Sequence, residues 1–208
     1  MKLKWHGHAC FELTLNDGTV IVTDPFDPSV GYPLCTVRAD VILSSHGHHD
    51  HNYFESIQGS PRIINAAGVY DLPGARITAA PSWHDDAEGA KRGPNLIFRV
   101  EADGLALAHL GDLGHLPDTD AQRAALTGLD AMLIPIGGYY TIDTPAAVEI
   151  VNAFSPKAAI GMHFANAYCH FPISDEREFL RLTGGGVLPN EVTLTPEAPA
   201  GRFVMEYR

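Results

Sequence analysis

Within six residues the chain places His46, His48, Asp50 and His51, spaced His-x-His-x-Asp-His, directly after the apolar Val41, Ile42 and Leu43 and the pair Ser44 and Ser45. Imidazole nitrogens and carboxylate oxygens are the donors that borderline divalent cations prefer. Crowded into one tight loop they would compete or repel unless a cation joined them, and a solvated polar loop offers no reason for that spacing. The chemistry such a cluster supports is metal-assisted attack by water.

The loop must be positioned by something, and 41–43 reads as the end of a buried strand. The same arrangement recurs down the chain. A strand over 75–80 leads to Ser82-Trp83-His84, one over 105–110 leads to Gly111-Asp112-Leu113-Gly114-His115, and one over 157–161 leads to Met162-His163. The glycines around Asp112 allow a tight backbone that presents its carboxylate. Further strands are expected over 3–5, 10–15, 19–23, 62–65, 96–101, 131–134 and 202–207, with a turn at Asn16-Asp17-Gly18. Helices are expected to begin within 52–57 and to cover 117–126, 143–153 and 174–182, the third capped by Asp143. Residues 27–40 carry two prolines and little periodicity, so they form a loop that could overhang a site.

With 208 residues, 45% of them hydrophobic, the chain is sized for a single domain over 1–208, and no Pro/Gly/Ser-rich linker divides it. A formal charge of −11 argues against a nucleic-acid partner, which usually calls for a basic face. It does not exclude a small anionic substrate held by local cations. No leader-like or membrane-length apolar run is present, and three scattered cysteines suit reduced thiols. A cytoplasmic protein with no membrane partner is therefore expected. Oligomeric state is left open.

The run 46–51 resembles the signature of the metallo-β-lactamase superfamily. GHACFEL near the start, TDPF at 23–26, His84, Asp112 in HLGDLGH and His163 in GMHF follow in the family's order and span nearly the whole sequence. The resemblance implies an α/β fold, the four-layer αβ/βα sandwich with two packed sheets. It also implies two divalent ions, zinc first, with manganese or iron compatible with the same donors. His46, His48 and His84 would hold one ion, Asp50, His51 and His163 the other, and Asp112 both, with room for a shared water or hydroxide. Asp50 and Asp112 are then the catalytic carboxylates. Asp24 would orient a ligand histidine from beneath, although a carboxylate before Pro25 could equally open a turn. His8 would line the pocket or be a hydrogen-bonded core histidine. His109 and His115 would line or support the site.

Between His84 and Asn95 lie three acids and then Lys91 and Arg92. These bases could meet a substrate anion at the pocket mouth or tip a solvated loop. Gly137-Gly138 could donate amides to a developing oxyanion or serve a plain turn. The short chain is similar to the branch that includes ascorbate-6-phosphate lactonase, whose members are longer, so their pocket does not transfer directly. Two functions are carried forward. One is a dinuclear hydrolase of a small ester-like substrate, lactone or phosphoester; the other is a metal-binding domain without catalysis, serving a binding or regulatory role. The complete set of seven ligands favours the enzyme.

Overall fold

The computed structural model describes residues 1–198 and 200–207. Strands are numbered in chain order. The first sheet is built from β1 (Lys2–Gly7), β2 (Cys10–Thr14), β3 (Val20–Thr23), β4 (Val41–Leu43), β5 (Arg62–Ile64) and β13 (Glu191–Thr193), in the order β13-β1-β2-β3-β4-β5. The second holds β6 (Gly68–Leu72), β7 (Ala75–Trp83), β8 (Pro94–Ala102), β9 (Leu105–His109), β10 (Ala131–Pro135), β11 (Ala158–Met162), β12 (Gly186–Leu188) and β14 (Gly201–Met205), in the order β12-β14-β11-β10-β9-β8-β7-β6. The helices α1 (Asp120–Leu126), α2 (Thr144–Phe154) and α3 (Arg177–Thr183) pack on β7, β8, β10 and β14 of this larger sheet. This is the two-sheet α/β architecture expected from the sequence.

The strand patterns explain which faces are covered. In β1, Leu3 and Trp5 are buried while Lys4 and His6 on the alternate face are only half-buried, the period of two that a one-sided sheet requires. Strands β9, β10 and β11 are buried throughout, as parallel strands covered on both faces should be. A continuous core joins the two sheets, with Trp5, Phe11, Phe26, Phe98 and Phe179 among its largest fully buried side chains. His109, at the end of β9, crosses between the sheets to bond the carbonyl of Ala9.

Direction matters most for the site. Strands β1 and β3 are each antiparallel to β2, and β4 is parallel to β3. In the larger sheet β7 and β9 are each antiparallel to β8, and β10 and β11 continue parallel to β9. Every strand that the sequence reading ended in a candidate ligand therefore shares one direction within its sheet, so the ligands gather at one edge.

Several boundaries differ from the sequence expectation. The helix expected within 52–57 is a single 3-10 turn, Phe54–Ser56, entered from Tyr53 without a side-chain cap. The helix expected from 117 starts at Asp120, because Thr119 and Gln122 form a reciprocal capping box that fixes the first turn there. The helix expected from 174 starts at Arg177, and Gly184 in the left-handed region ends it. Residues 27–40 hold a 3-10 turn at Pro28–Val30, where the Asp27 carboxylate accepts from the Ser29 amide. Strands β6, β12 and β13 were not expected. They are three to five residues long and mostly exposed or half-buried, so no apolar run marks them. No helix among the described residues is long and apolar enough to cross a membrane.

Candidate metal centre

Six segments meet at the common edge. His8 lies in the turn between β1 and β2, Asp24 follows β3, residues 46–51 follow β4, His84 follows β7, Asp112 follows β9 and His163 follows β11. His8, Asp24 and His163 all have left-handed backbone, with φ of 52°, 39° and 54°. Such conformations cost energy in residues that bear a Cβ and persist where the surroundings over-determine them, commonly at functional sites. Gly111 also has positive φ, and a Cβ there would collide with Asn95 and Ser45; at Gly114 it would strike the backbone of His84 and Asp85. The glycines around Asp112 are thus required both by conformation and by close packing.

Asp112 stands at the centre. Its Oδ2 lies 3.1 Å from His84 Nε2 and 3.2 Å from His163 Nε2, while Oδ1 lies 3.2 Å from His51 Nε2. On one side His46, His48 and His84 each present a donor atom within 4.8 Å of the others; on the other side Asp50, His51, His163 and His8 do the same. All seven sequence-predicted ligands are therefore brought together. All are buried except His48, which is exposed, and Asp50, which is half-buried.

Beneath them, Asp24 accepts hydrogen bonds from the Ser45 amide (2.7 Å), the Ser45 hydroxyl (2.7 Å) and His51 Nδ1 (2.8 Å). The last contact settles the His51 tautomer, leaving Nε2 bare and pointing at the centre. Ser45 has a single proton, given to Asp24, so its oxygen accepts from His46 Nδ1 at 3.0 Å; His46 Nε2 is then also bare. Asp24 thus has both of the features that the sequence left as alternatives, an unusual turn backbone and an orienting carboxylate. His8 Nε2 donates to Asp50 Oδ2 at 3.2 Å, holding that carboxylate.

The other histidines separate clearly. His109 Nε2 donates to Ala9 O (2.8 Å), and its Nδ1 accepts from the Gly111 amide (3.1 Å), so neither nitrogen is free to coordinate. His115 accepts from the Trp83 amide at 3.2 Å and donates to Leu116 O at 2.8 Å, a structural role away from the cluster. Gly137 lies so close to the His163 carbonyl that a Cβ would overlap it, which makes close packing the reason for that glycine.

Electrostatics and unmet hydrogen bonds agree on what the cluster can hold. Burial, then the neighbouring His51, pushes His46 down to about 3, and burial, then His163, pushes His8 down to about 4. Burial disfavours the Asp112 charge, but His163 and His51 hold its carboxyl well below the usual range. Neutral imidazoles around ionised carboxylates are the protonation states metal coordination needs. His46 Nε2, His51 Nε2, His163 Nε2 and Asp112 Oδ1 are buried without a hydrogen-bond partner. A buried polar atom left unpaired costs roughly 1–3 kcal/mol, and four of them aimed at one point are what a divalent cation would satisfy. The donor set fits a metal.

A cavity of about 510 Å³ opens onto this centre, lined by His48, Asp50, His84 and Asp112 on its floor and by Ser29, His49, Arg92, Tyr140 and Phe171 around them. Arg92 donates to Tyr139 O at 2.9 Å and its guanidinium lies 5.7 Å from the Tyr140 ring centre. Lys91 does not line this cavity and its ammonium pairs with Asp86 at 2.6 Å. The structure thus brings only Arg92 of the two bases to the mouth. Sequence reasoning passed over Ser45, Asn95, Tyr140 and Phe171. Asn95 accepts from the Asp112 amide at 3.0 Å and donates to Leu110 O and Ser82 Oγ, and nothing local marks it, because its partners lie 13 to 17 residues away.

Comparison with known proteins bears directly on this centre. A sequence model of the β-lactamase superfamily domain matches residues 2–163. A UPF0173 metal-dependent hydrolase of Thermoplasma acidophilum is 32% identical over 189 residues, covering 79% of this chain and 83% of the relative. The chain is a metal-dependent hydrolase of the metallo-β-lactamase superfamily. A UPF0173 metal-dependent hydrolase of Archaeoglobus fulgidus is 30% identical across 98% of this hydrolase and 99% of the relative. Among solved structures, a Thermotoga maritima protein assigned to the zinc-dependent hydrolases of the superfamily superposes with a TM-score of 0.81 at 34% identity, covering 98% of this hydrolase and 97% of that chain.

Proposed function

We propose that the hydrolase cleaves a small, anionic, ester-like substrate, a lactone or phosphoester, at a centre of two divalent ions held by the seven residues around Asp112. The observation that carries this reading is the position of Asp112, with one carboxylate oxygen between His84 and His163, members of the two separate donor groups. Zinc is the first choice, supported by the imidazole-rich donors and by the zinc assignment of the Thermotoga relative. Divalent ions there would lower the pKa of a shared water from about 15.7 toward neutrality and polarise the oxygen under attack.

The chain's own residues supply the rest. His46, His48 and His84 would form one ligand set and Asp50, His51 and His163 the other. Asp24 fixes the tautomer of His51, Ser45 that of His46, and His8 steadies Asp50. Tyr140 and Phe171 wall the cavity above the floor and exclude water from one side of a bound substrate. Arg92, stacked on Tyr140, can meet a substrate anion at the rim. Elemental analysis of the purified protein tests the reading. Up to two ions per chain are expected, with ester hydrolysis lost on chelation and regained on reconstitution. Absence of bound metal after reconstitution with zinc, manganese or iron would overturn it.

A further inference from the structure

A second cluster of reactive groups lies on the other face of β1 and β2, outside the metal centre. His6 and Glu12 project from the face opposite Leu3, Trp5, Phe11 and Leu13, with Cys10 beside them. His6 Nε2 bonds Glu12 Oε2 at 2.8 Å. The irregular segment after Pro28–Val30 brings Cys35 over this face, where its sulfur lies within hydrogen-bonding reach of both His6 and Cys10. Both thiols are free and buried. The order Glu12, His6, Cys35, Cys10 is a carboxylate that orients an imidazole, an imidazole that stabilises a thiolate, and a second thiol placed to resolve it.

The protonation states suit that order. Burial works against the His6 imidazolium, but hydrogen bonds to Cys35 and Glu12 outweigh it and raise His6 to about 9. Donation from Cys10, opposed by burial and supported by His6, holds the Cys35 thiol low, at about 5. A thiolate is the nucleophilic form of cysteine, and a paired imidazolium is one of the devices that create it. A route for a small oxidant runs past His6, whose side chain keeps 13% exposure.

We propose that Cys10 and Cys35 are a redox-modification site at which a hydroperoxide oxidises Cys35 and Cys10 then closes a reversible disulfide. The Cys35 thiolate attacks one peroxide oxygen and the O–O bond breaks. With hydrogen peroxide the leaving hydroxide takes a proton from the His6 imidazolium and departs as water, leaving Cys35 as a sulfenic acid. The Cys10 sulfur then attacks the Cys35 sulfur, the S–O bond breaks, and a second water leaves with the thiol proton. Two thiols lose two electrons and one peroxide becomes two waters. The bond ties β2 to the segment that begins at Ser29, a wall of the metal cavity, and Tyr32, whose ring covers Gly7.

The test is to expose the metal-loaded protein to hydrogen peroxide, unfold it, alkylate remaining thiols and map the peptides by mass. A linked pair of peptides containing Cys10 and Cys35, lighter by two hydrogens and split by a thiol reductant, is expected, with Cys169 still alkylated. In Cys10→Ser the Cys35 sulfenic acid should persist long enough for a dimedone adduct, and His6→Gln should slow oxidation by about 10-fold or more. Cys10 and Cys35 as fully alkylated as in untreated protein, or oxidation of Cys35 no faster than that of Cys169, would overturn the proposal. The wild-type map decides the pairing even if a variant fails to fold.

Discussion

Each ligand histidine whose tautomer can be read is set by one partner beneath it, and the strongest such partner is Asp24. It collects the Ser45 amide, the Ser45 hydroxyl and His51 Nδ1 with no exposure to solvent. Asp24→Asn keeps the shape but replaces one acceptor oxygen with a donor group, so a proton must move or a bond must break. Burial costs the Asp24 charge something, yet the nearby His51 keeps the carboxyl below its ordinary range, so the ionised acceptor is the form that asparagine fails to reproduce. The variant should fold and bind metal about 10-fold to 100-fold more weakly, the usual size of outer-shell effects, as read by competition with a chelator of known affinity. His84→Ala removes a donor atom itself and should abolish metal-dependent hydrolysis. Equal behaviour of the two variants in metal affinity would show that Asp24 does not act through His51. His109 supplies a contrast that spacing could not reveal: like Asp112 it belongs to the end of β9, but both its nitrogens serve the backbone.

Among the elements, the segment between β7 and β8 shows what sequence reading can and cannot reach. Its length, acids and glycines mark a polar loop, and the strand before it marks His84. What holds the loop is Asp85, a buried carboxylate that accepts from the amides of Ala87, Gly89, Lys91 and Arg92 at 2.7 to 2.9 Å. Burial opposes its charge, and those four donors outweigh it and hold the carboxyl at about 2. Neither the residue type nor the spacing announces this, because any of the three acids in the loop could have turned inward. Asp85→Asn turns an amide group toward donors, so about 1–3 kcal/mol of stability should be lost and the backbone that carries Arg92 should loosen. Thermal unfolding would register the first effect. The second predicts a raised KM for anionic substrates that matches Arg92→Ala, whereas Asp86→Asn, which frees only the exposed Lys91 pair, should leave both measurements near wild type.

Over the whole molecule, the arrangement legible in advance was the gathering of ligands at one edge, because each apolar run is followed by its ligand within a few residues and parallel strands end together. The short edge strands were illegible: β12 carries Gly-Val-Leu with its valine exposed, and β13 carries Glu-Val-Thr, patterns indistinguishable from loop. Charge is the other property of the whole chain, and here it points away from the proposed substrate. A formal −11 should repel an anion at long range, yet beyond about 8 Å that repulsion is largely screened at physiological ionic strength. Inside the cavity the near groups decide, and Arg92 is the one basic side chain in its lining. Its guanidinium is held by Tyr139 O and the Tyr140 ring, whereas Lys91 is turned to Asp86. A base remote from the reacting bond binds the substrate anion equally in ground and transition states, so its loss should raise KM and spare kcat. Arg92→Ala should therefore raise KM for an anionic ester by about 10-fold, the scale of one charge-assisted hydrogen bond of 1.5–3 kcal/mol partly screened at a cavity rim, and leave KM for a neutral ester of the same size unchanged. Lys91→Ala should alter neither. Steady-state kinetics on the matched pair of esters checks this, and an unchanged preference for the anion in Arg92→Ala would remove Arg92 from the substrate site and leave the metal ions as the source of any selectivity for negative charge.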